Sequence, residues 1–270
     1  MSADQRKSPT EPQRGNRPPA HGRRRILITG ASSGLGAQLA RIWADDGRDL
    51  ALCARRLPEL ERLRDELLDR HPHSVVHVYQ LDVSDAEATE RVVERAVVDL
   101  GGLDRVVAGA GIGMGARVGS GHADVNRRVL TTNVIGTWNT AEAAIRHFWD
   151  RQDGHLVIIS SMAALRGFGG AMAAYSTSKA AIATLGESLR SSLARRPITV
   201  STIFPGNIDT AINAGNPDKK WSVPLEVGTA QLAAAIEAEP ASAYVPRRPW
   251  AYVAPIMRVA PLSVVRRLVG

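Results

Sequence analysis

From Arg25 onward the chain alternates short, nearly continuous apolar runs with longer amphipathic stretches, and this alternation is the strongest constraint on its fold. The runs Ile26 to Thr29, Leu50 to Ala54, Val75 to Leu81, Arg105 to Ala108, His155 to Ser160 and Ile198 to Phe204 read as strands buried on both faces, because a half-exposed strand would alternate polar and apolar residues. Helical periodicity is predicted over Gly34 to Asp46, Pro58 to Arg70, Asp85 to Leu100, Ala123 to Asp150 and Tyr175 to Arg195. Pro58 suits a first turn, Ser84 with Glu87 reads as a capping box, and Gly47 and Gly101 as stops. Strands that alternate with helices need right-handed crossovers, which predicts an α/β fold: a doubly wound parallel sheet covered on both sides, in one domain over 23–246.

Composition removes several function classes. With 270 residues the chain can bury roughly three quarters of its unfolded surface without disulfides. Its single Cys53 could form no internal one, which fits a reducing, cytoplasmic setting. The sequence shows neither an apolar run long enough to span a bilayer nor a secretory signal. The net charge of +7 sits at the ends: residues 1 to 25 carry seven basic groups against Asp4 and Glu11, and residues 241 to 270 carry five arginines and no acid. The body is therefore slightly acidic, which argues against nucleic acid as a partner. Residues 1–22, rich in Pro, Arg, Gln and Ser, are expected to be a disordered basic tail. His71, His73 and His77 lack the Cys or carboxylate partners that would complete a metal site, and Cys53 reads as a small core hydrophobe.

Chemistry concentrates after the first strand, where Thr29-Gly30-Ala31-Ser32-Ser33-Gly34-Leu35-Gly36 opens a helix. Glycines let the backbone approach a pyrophosphate, and the unpaired N–H groups of the helix start favour its charge, as in Rossmann-type nucleotide sites. The second strand ends in Cys53-Ala54-Arg55-Arg56 with no acid to meet a ribose hydroxyl, so Arg55 reads as a partner for a 2′-phosphate and Arg56 as a surface residue. Tyr175 and Lys179 share one helical face and can act on one atom. A neighbouring ammonium would lower the phenol's pKa towards use in acid–base chemistry.

The eight-residue turn resembles the TGxxxGxG element of the short-chain dehydrogenase/reductase family. So do the motifs that follow it in order over roughly 180 residues: Asp82-Val83, Asn133, Ser161, Tyr175-x-x-x-Lys179 and Pro205-Gly206. The resemblance implies an NADP(H)-preferring oxidoreductase that interconverts a ketone and a secondary alcohol. It implies catalytic roles for Asn133, Ser161, Tyr175 and Lys179. It also implies that the cofactor is held by Gly30, Ser32, Ser33, Gly34, Leu35, Gly36, Arg55, Asp82, Val83, Gly111, Tyr175, Lys179, Pro205, Gly206, Ile208 and Thr210, and that the chain pairs as a homodimer or homotetramer through its two longest helices. Ala108-Gly109-Ala110-Gly111 departs from the family's Asn-Asn-Ala-Gly, which removes an amide that braces neighbouring backbone.

Met114, Leu165, Phe168, Met172 and Trp221 are expected to line an apolar pocket that suits an apolar or lipid-like small-molecule carbonyl substrate. An NAD-linked alcohol dehydrogenase is the rival enzyme, opposed by Arg55. A protein that binds NADP without turnover is the rival of another class, opposed by the intact Ser161, Tyr175 and Lys179. Beyond a final strand at Ala243 to Val245, a C-terminal extension over 247–270 mixes Trp250, Tyr252, Ile256 and Met257 with arginines. Pro249, Pro255 and Pro261 should divide it into short pieces, with a short helix after Pro261. It could pack over the substrate mouth of its own or a partner subunit, or make peripheral contact with an anionic membrane.

Overall fold

The computed structural model describes residues 22–113, 115–210 and 221–269. Among these, seven parallel strands form one sheet in the order β3-β2-β1-β4-β5-β6-β7. The strands are β1 (Arg25–Thr29), β2 (Asp49–Ala54), β3 (Val76–Gln80), β4 (Arg105–Ala108), β5 (Gly154–Ile159), β6 (Ile198–Pro205) and β7 (Ser242–Val245). The chain winds outward from β1 to β3, then returns to β4 and winds the other way, so the winding reverses between β1 and β4. Outside the carboxyl ends of the strands at that point, the helices diverge and leave a crevice.

Helices α1 (Gly34–Asp45), α2 (Leu57–Arg70) and α7 (Leu225–Glu237) cover one face. Helices α3 (Ala86–Leu100), α5 (Gly136–Arg151) and α6 (Ala173–Ser192) cover the other. Successive strand residues feed the two cores in turn: Ile26 and Ile28 pack with Leu39, Trp43 and Leu60, whereas Leu27 between them packs with Val93, Phe148 and Ile182. All six central apolar runs of the sequence are strands, and both faces are buried.

Several local expectations are corrected. Asp85, not Ser84, caps α3: its carboxylate accepts from Ala88 N at 2.9 Å, while the Ser84 hydroxyl donates to Asp82 at 2.7 Å. The helix expected from Ala123 runs on without a break as α4 (Ala123–Leu130) and α5, but it widens into one π-type turn over Thr131–Ile135, where the buried Asn133 amide bonds outside the helix. Helix α7 is absent from the expected helices, although Leu225, Leu232 and Ile236 have helical spacing. The extension is not cut into pieces at each proline. Helix α8 (Arg247–Val259) is kinked at Arg248, before Pro249, as expected, but it continues through Pro255, which is exposed, so the bond its ring removes is lost on the solvent side. After Pro261 follows α9 (Leu262–Val269). Residues 1–21, Met114 and the side chains beyond Val265 lie outside the described residues.

At the amino ends of the strands, Arg48 and Arg105 are each 1 % exposed. Glu237, at the end of α7, holds both: Arg105 Nη1 donates to it at 2.5 Å and Arg48 Nη2 lies 3.5 Å away, with the Trp43 indole donating at 3.0 Å. Arg105 Nε donates to His155 Nδ1 at 2.9 Å; burial and this cation push the imidazole down to about 3, so the ring is neutral and its Nε2–H faces Ser201. One carboxylate thus ties α7 and the approach to β7 to the centre of the sheet. Replacing Glu237 with Ala would remove the carboxylate that the two buried cations share, a loss of about 3–5 kcal/mol. Urea unfolding should show that drop, whereas an exposed pair would lose at most ~1 kcal/mol.

Candidate active site

The β1–α1 turn is built by close backbone approach. Gly30 (φ 77°) and Ala31 both donate to Cys53 O, which seats the turn on the end of β2. A side chain on Gly36 would bring its Cβ to 2.5 Å from Gly30 O, and one on Gly30 would reach 2.7 Å from Ala110 Cα. Only hydrogen fits at either place. Ser33 caps α1 without a side-chain bond, so the first N–H groups of the helix stay available to an anion.

The loop after β4 lies against this turn. The Thr29 hydroxyl accepts from Gly109 N at 3.1 Å and Ala110 N at 3.3 Å, and donates to Val107 O. Thr29 therefore braces the loop that lacks the expected amide. Farther along, the Asn133 side chain clamps Ile112 through both its N–H and C=O and donates to Ser178 at 2.9 Å. Asn133 stands behind the cleft wall, not on it.

Around the crevice these elements enclose a cleft of about 770 Å³. At one end lie Gly30, Ser32, Ser33, Gly34, Leu35 and Gly36 with Arg55, Asp82 and Val83; at the other lie Gly111, Ser161, Tyr175, Lys179, Pro205, Gly206, Ile208 and Thr210. The Thr210 methyl reaches over Gly34, 3.6 Å from where a Cβ would stand, and so bridges the two ends. Partial burial of the Asp82 carboxyl is outweighed by two hydrogen bonds from Ser84 and by the nearby Arg55, which hold it below the usual range.

Arg56 departs from its expected surface role. Its guanidinium donates to the hydroxyls of Ser32 at 2.9 Å and Ser33 at 2.8 Å, so it lies across the turn and lines the cleft. The adjacency of two arginines at a strand end was the available signal. Of the two placements expected for the extension, Trp250 and Met257 take the one over the mouth of their own cleft. They are 3 % and 1 % exposed and wall the cleft, with Met162, Phe168 and Met172 nearby. Leu165 instead packs in the small core under α8, and Trp221 touches the cleft only through Trp250, edge-on at 5.4 Å.

Tyr175 and Lys179 rise from α6, and Ser161 follows β5. Ser160 is committed elsewhere, donating to Lys179 O at 2.8 Å. Ser161 accepts from Ala163 N at 3.1 Å and hydrogen-bonds the Tyr175 phenol. Burial raises that phenol and the Ser161 bond draws it only part of the way back, so in the protein alone the balance opposes the expected lowering. Lys179 Nζ lies 5.8 Å from the Tyr175 ring centre and donates to Ile159 O at 2.8 Å. Burial pushes its ammonium down to about 8. The described residues contain no group of His, Cys, Asp or Glu able to hold a metal, and burial pushes the Cys53 thiol up, away from nucleophilic use.

Comparison with known proteins agrees with this geometry. A model of the short chain dehydrogenase family matches residues 24–221. An uncharacterized oxidoreductase of Mycobacterium tuberculosis is 45 % identical over 245 residues, covering 91 % of this chain and 97 % of that protein. Among solved structures, a short-chain type dehydrogenase/reductase from Mycobacterium marinum superposes with a TM-score of 0.74 at 26 % identity, over 82 % of this chain and 92 % of its own. An alcohol dehydrogenase from Thermococcus sibiricus complexed with 5-hydroxy-NADP gives 0.69 at 26 % identity, over 79 % and 89 %.

The low value at Lys179 has a measurable consequence. An unfolded lysine keeps its proton to about 10.5, so between pH 8 and 10.5 the unfolded chain binds more protons and stability contributed by this group rises with pH. Below pH 8 both states are protonated and the burial cost is expressed in full. The native chain should therefore gain stability relative to a Lys179→Met variant as pH rises through this window, read by urea unfolding. A difference independent of pH would show an unperturbed lysine.

Proposed function

The chain belongs to the short chain dehydrogenase family, and from that premise we propose that it is an NADP(H)-dependent carbonyl reductase acting on an apolar or lipid-like ketone. The observation that carries this reading is that Ser161, Tyr175 and Lys179 meet in the cleft that also holds the glycine turn.

The residues fit a dinucleotide: the turn excludes side chains where a pyrophosphate would approach, the start of α1 has no side-chain cap, and Arg55 and Arg56 line the same end of the cleft. When bound, the dinucleotide supplies or accepts the hydride. Arg55 and Arg56 would pair with a 2′-phosphate, Asp82 and Val83 would meet the adenine, and Gly111, Pro205, Gly206, Ile208 and Thr210 would hold the nicotinamide end.

Ser161 donates a hydrogen bond to the substrate oxygen as charge develops on it. Tyr175 gives the proton. A phenol held above its ordinary range is protonated at neutral pH, which is the form reduction requires. Lys179, on the same helical face, holds the nicotinamide ribose and sets the field at the phenol. Asn133 is a positioning residue, because its amide fixes Ile112 and Ser178 and touches neither reactant.

The apolar substrate class is supported by Met162, Phe168, Met172, Trp250 and Met257 around the catalytic end. A homodimer or homotetramer is supported by the exposed Ile135, at the end of the wide turn, and the exposed Trp138 and Trp149 on α5, which share one apolar side. The domain is read as 23–246, with 247–270 closing it from above.

Tyr175→Phe keeps the ring and removes the transferable proton. Turnover of a competent ketone should fall by at least a hundredfold while NADPH binding, followed by fluorescence titration, survives. Near-native turnover would refute the assignment.

Cofactor choice is tested separately. Arg55→Ala should weaken NADPH by about 1.5–3 kcal/mol and leave NADH nearly unchanged, since the lost bond is a charged one to the 2′-phosphate. Arg56→Ala should act in the same direction. Equal losses for the two dinucleotides would assign the arginines to the turn alone.

A further inference from the structure

Helix α8 is apolar on two sides and the fold uses only one. Trp250, Val253, Ala254 and Met257, spaced three and four apart, are buried against Met162 and Phe204. On the opposite side Tyr252, Ile256 and Val259 follow at the same spacing and are 64 %, 48 % and 84 % exposed; the stripe continues in Leu262 and Val264 on α9. Exposed Arg247, Arg248 and Arg258 flank it, Arg166 donates to Arg258 O at the end of α8, and no acidic residue occurs after Glu239.

We propose that this outer face of α8 and the start of α9 is a docking surface for an anionic lipid bilayer. Charge decides between the two occupants an apolar face invites. A second copy seated here by two-fold symmetry would set the patch against itself, arginine facing arginine with no carboxylate from either extension to separate them. The exposed stripe of α5 suits a second copy better, because Glu142 and Arg146 accompany its tryptophans.

An anionic surface has the complementary charge. Tyr252 suits the headgroup level, Ile256 and Val259 the acyl boundary, and the arginines the phosphates on either side. No described helix is long and apolar enough to cross a membrane, so the contact is in-plane. The inner face of the same helix walls the cleft through Trp250 and Met257. If the reductase reading holds, docking would place the substrate mouth beside carbonyl compounds dissolved in lipid. The docking itself does not depend on that reading.

The test is flotation of the full-length chain with phosphatidylglycerol–phosphatidylcholine vesicles and with pure phosphatidylcholine vesicles, at low and high salt. Binding is expected to the anionic vesicles at low salt, and to be lost in high salt or on neutral lipid. Arg247→Gln/Arg258→Gln should weaken it about thirtyfold, from roughly 1 kcal/mol per arginine. Tyr252→Ser/Ile256→Ser/Val259→Ser should abolish it with thermal melting unchanged, since these side chains are exposed. Both variants keep the basic segment 1–25, so undiminished binding by them would move the contact to that segment and overturn the proposal. Absence of binding at low salt would overturn it too. So would sedimentation showing that the triple substitution dissociates an oligomer, which would give this face to a second copy. Turnover is not needed for any of these readings, and failure of reductase activity leaves them standing.

Discussion

The site depends on how closely two backbone segments approach at the point where the sheet changes direction. Gly36 passes Gly30 O and Gly30 passes Ala110 at distances that admit no Cβ, and the Thr29 hydroxyl bonds the loop on the far side of the contact. The start of α1 and the loop after β4 therefore share one wall. A single methyl here would push α1 outward and open the cleft along its length. Packing of this density transmits such a shift instead of absorbing it.

The rest of the fold holds that wall in place from both ends. Below the sheet, Glu237 joins α7 to Arg48 and Arg105, and the neutral His155 continues the network to Ser201. Above it, α8 closes over the strand ends with Trp250 lying on Gly206, where a side chain would collide with the indole. Between the two, the wide turn at Asn133 trades regular helix for three bonds that hold Ile112 and Ser178. Such a turn costs local regularity and is retained where a side chain must face a site.

Much of this was legible in the residues. Apolar runs of four to eight residues between amphipathic stretches leave few solutions other than a parallel sheet with helices on both faces, because every strand must hide two sides. The glycine turn and the Tyr175–Lys179 spacing mark both ends of the cleft for the same reason: each is a local geometry that few residue types can meet. Misreadings arose where neighbours competed for one role. Asp85 outbid Ser84 for the cap because Ser84 was engaged by Asp82, a contact set by the turn after β3. Arg56 looked interchangeable with surface arginines until β1 and β2 brought it beside Ser32 and Ser33.

The sequence by itself determined the alternation of strands and helices as far as α6, the class of sheet, and which residue types gather at the carboxyl ends of the strands. These follow from periodicity and from the steric needs of single residues. Tertiary structure alone decided that the helix would widen at Asn133, that Glu237 would join two buried arginines far from it in sequence, and that α8 would turn Trp250 and Met257 into the cleft and leave Tyr252, Ile256 and Val259 outside. Each of these outcomes is a choice among partners that are distant along the chain. Local propensity carries no information about which of two apolar faces finds a core, because both satisfy the same helical spacing and only the surface each meets tells them apart.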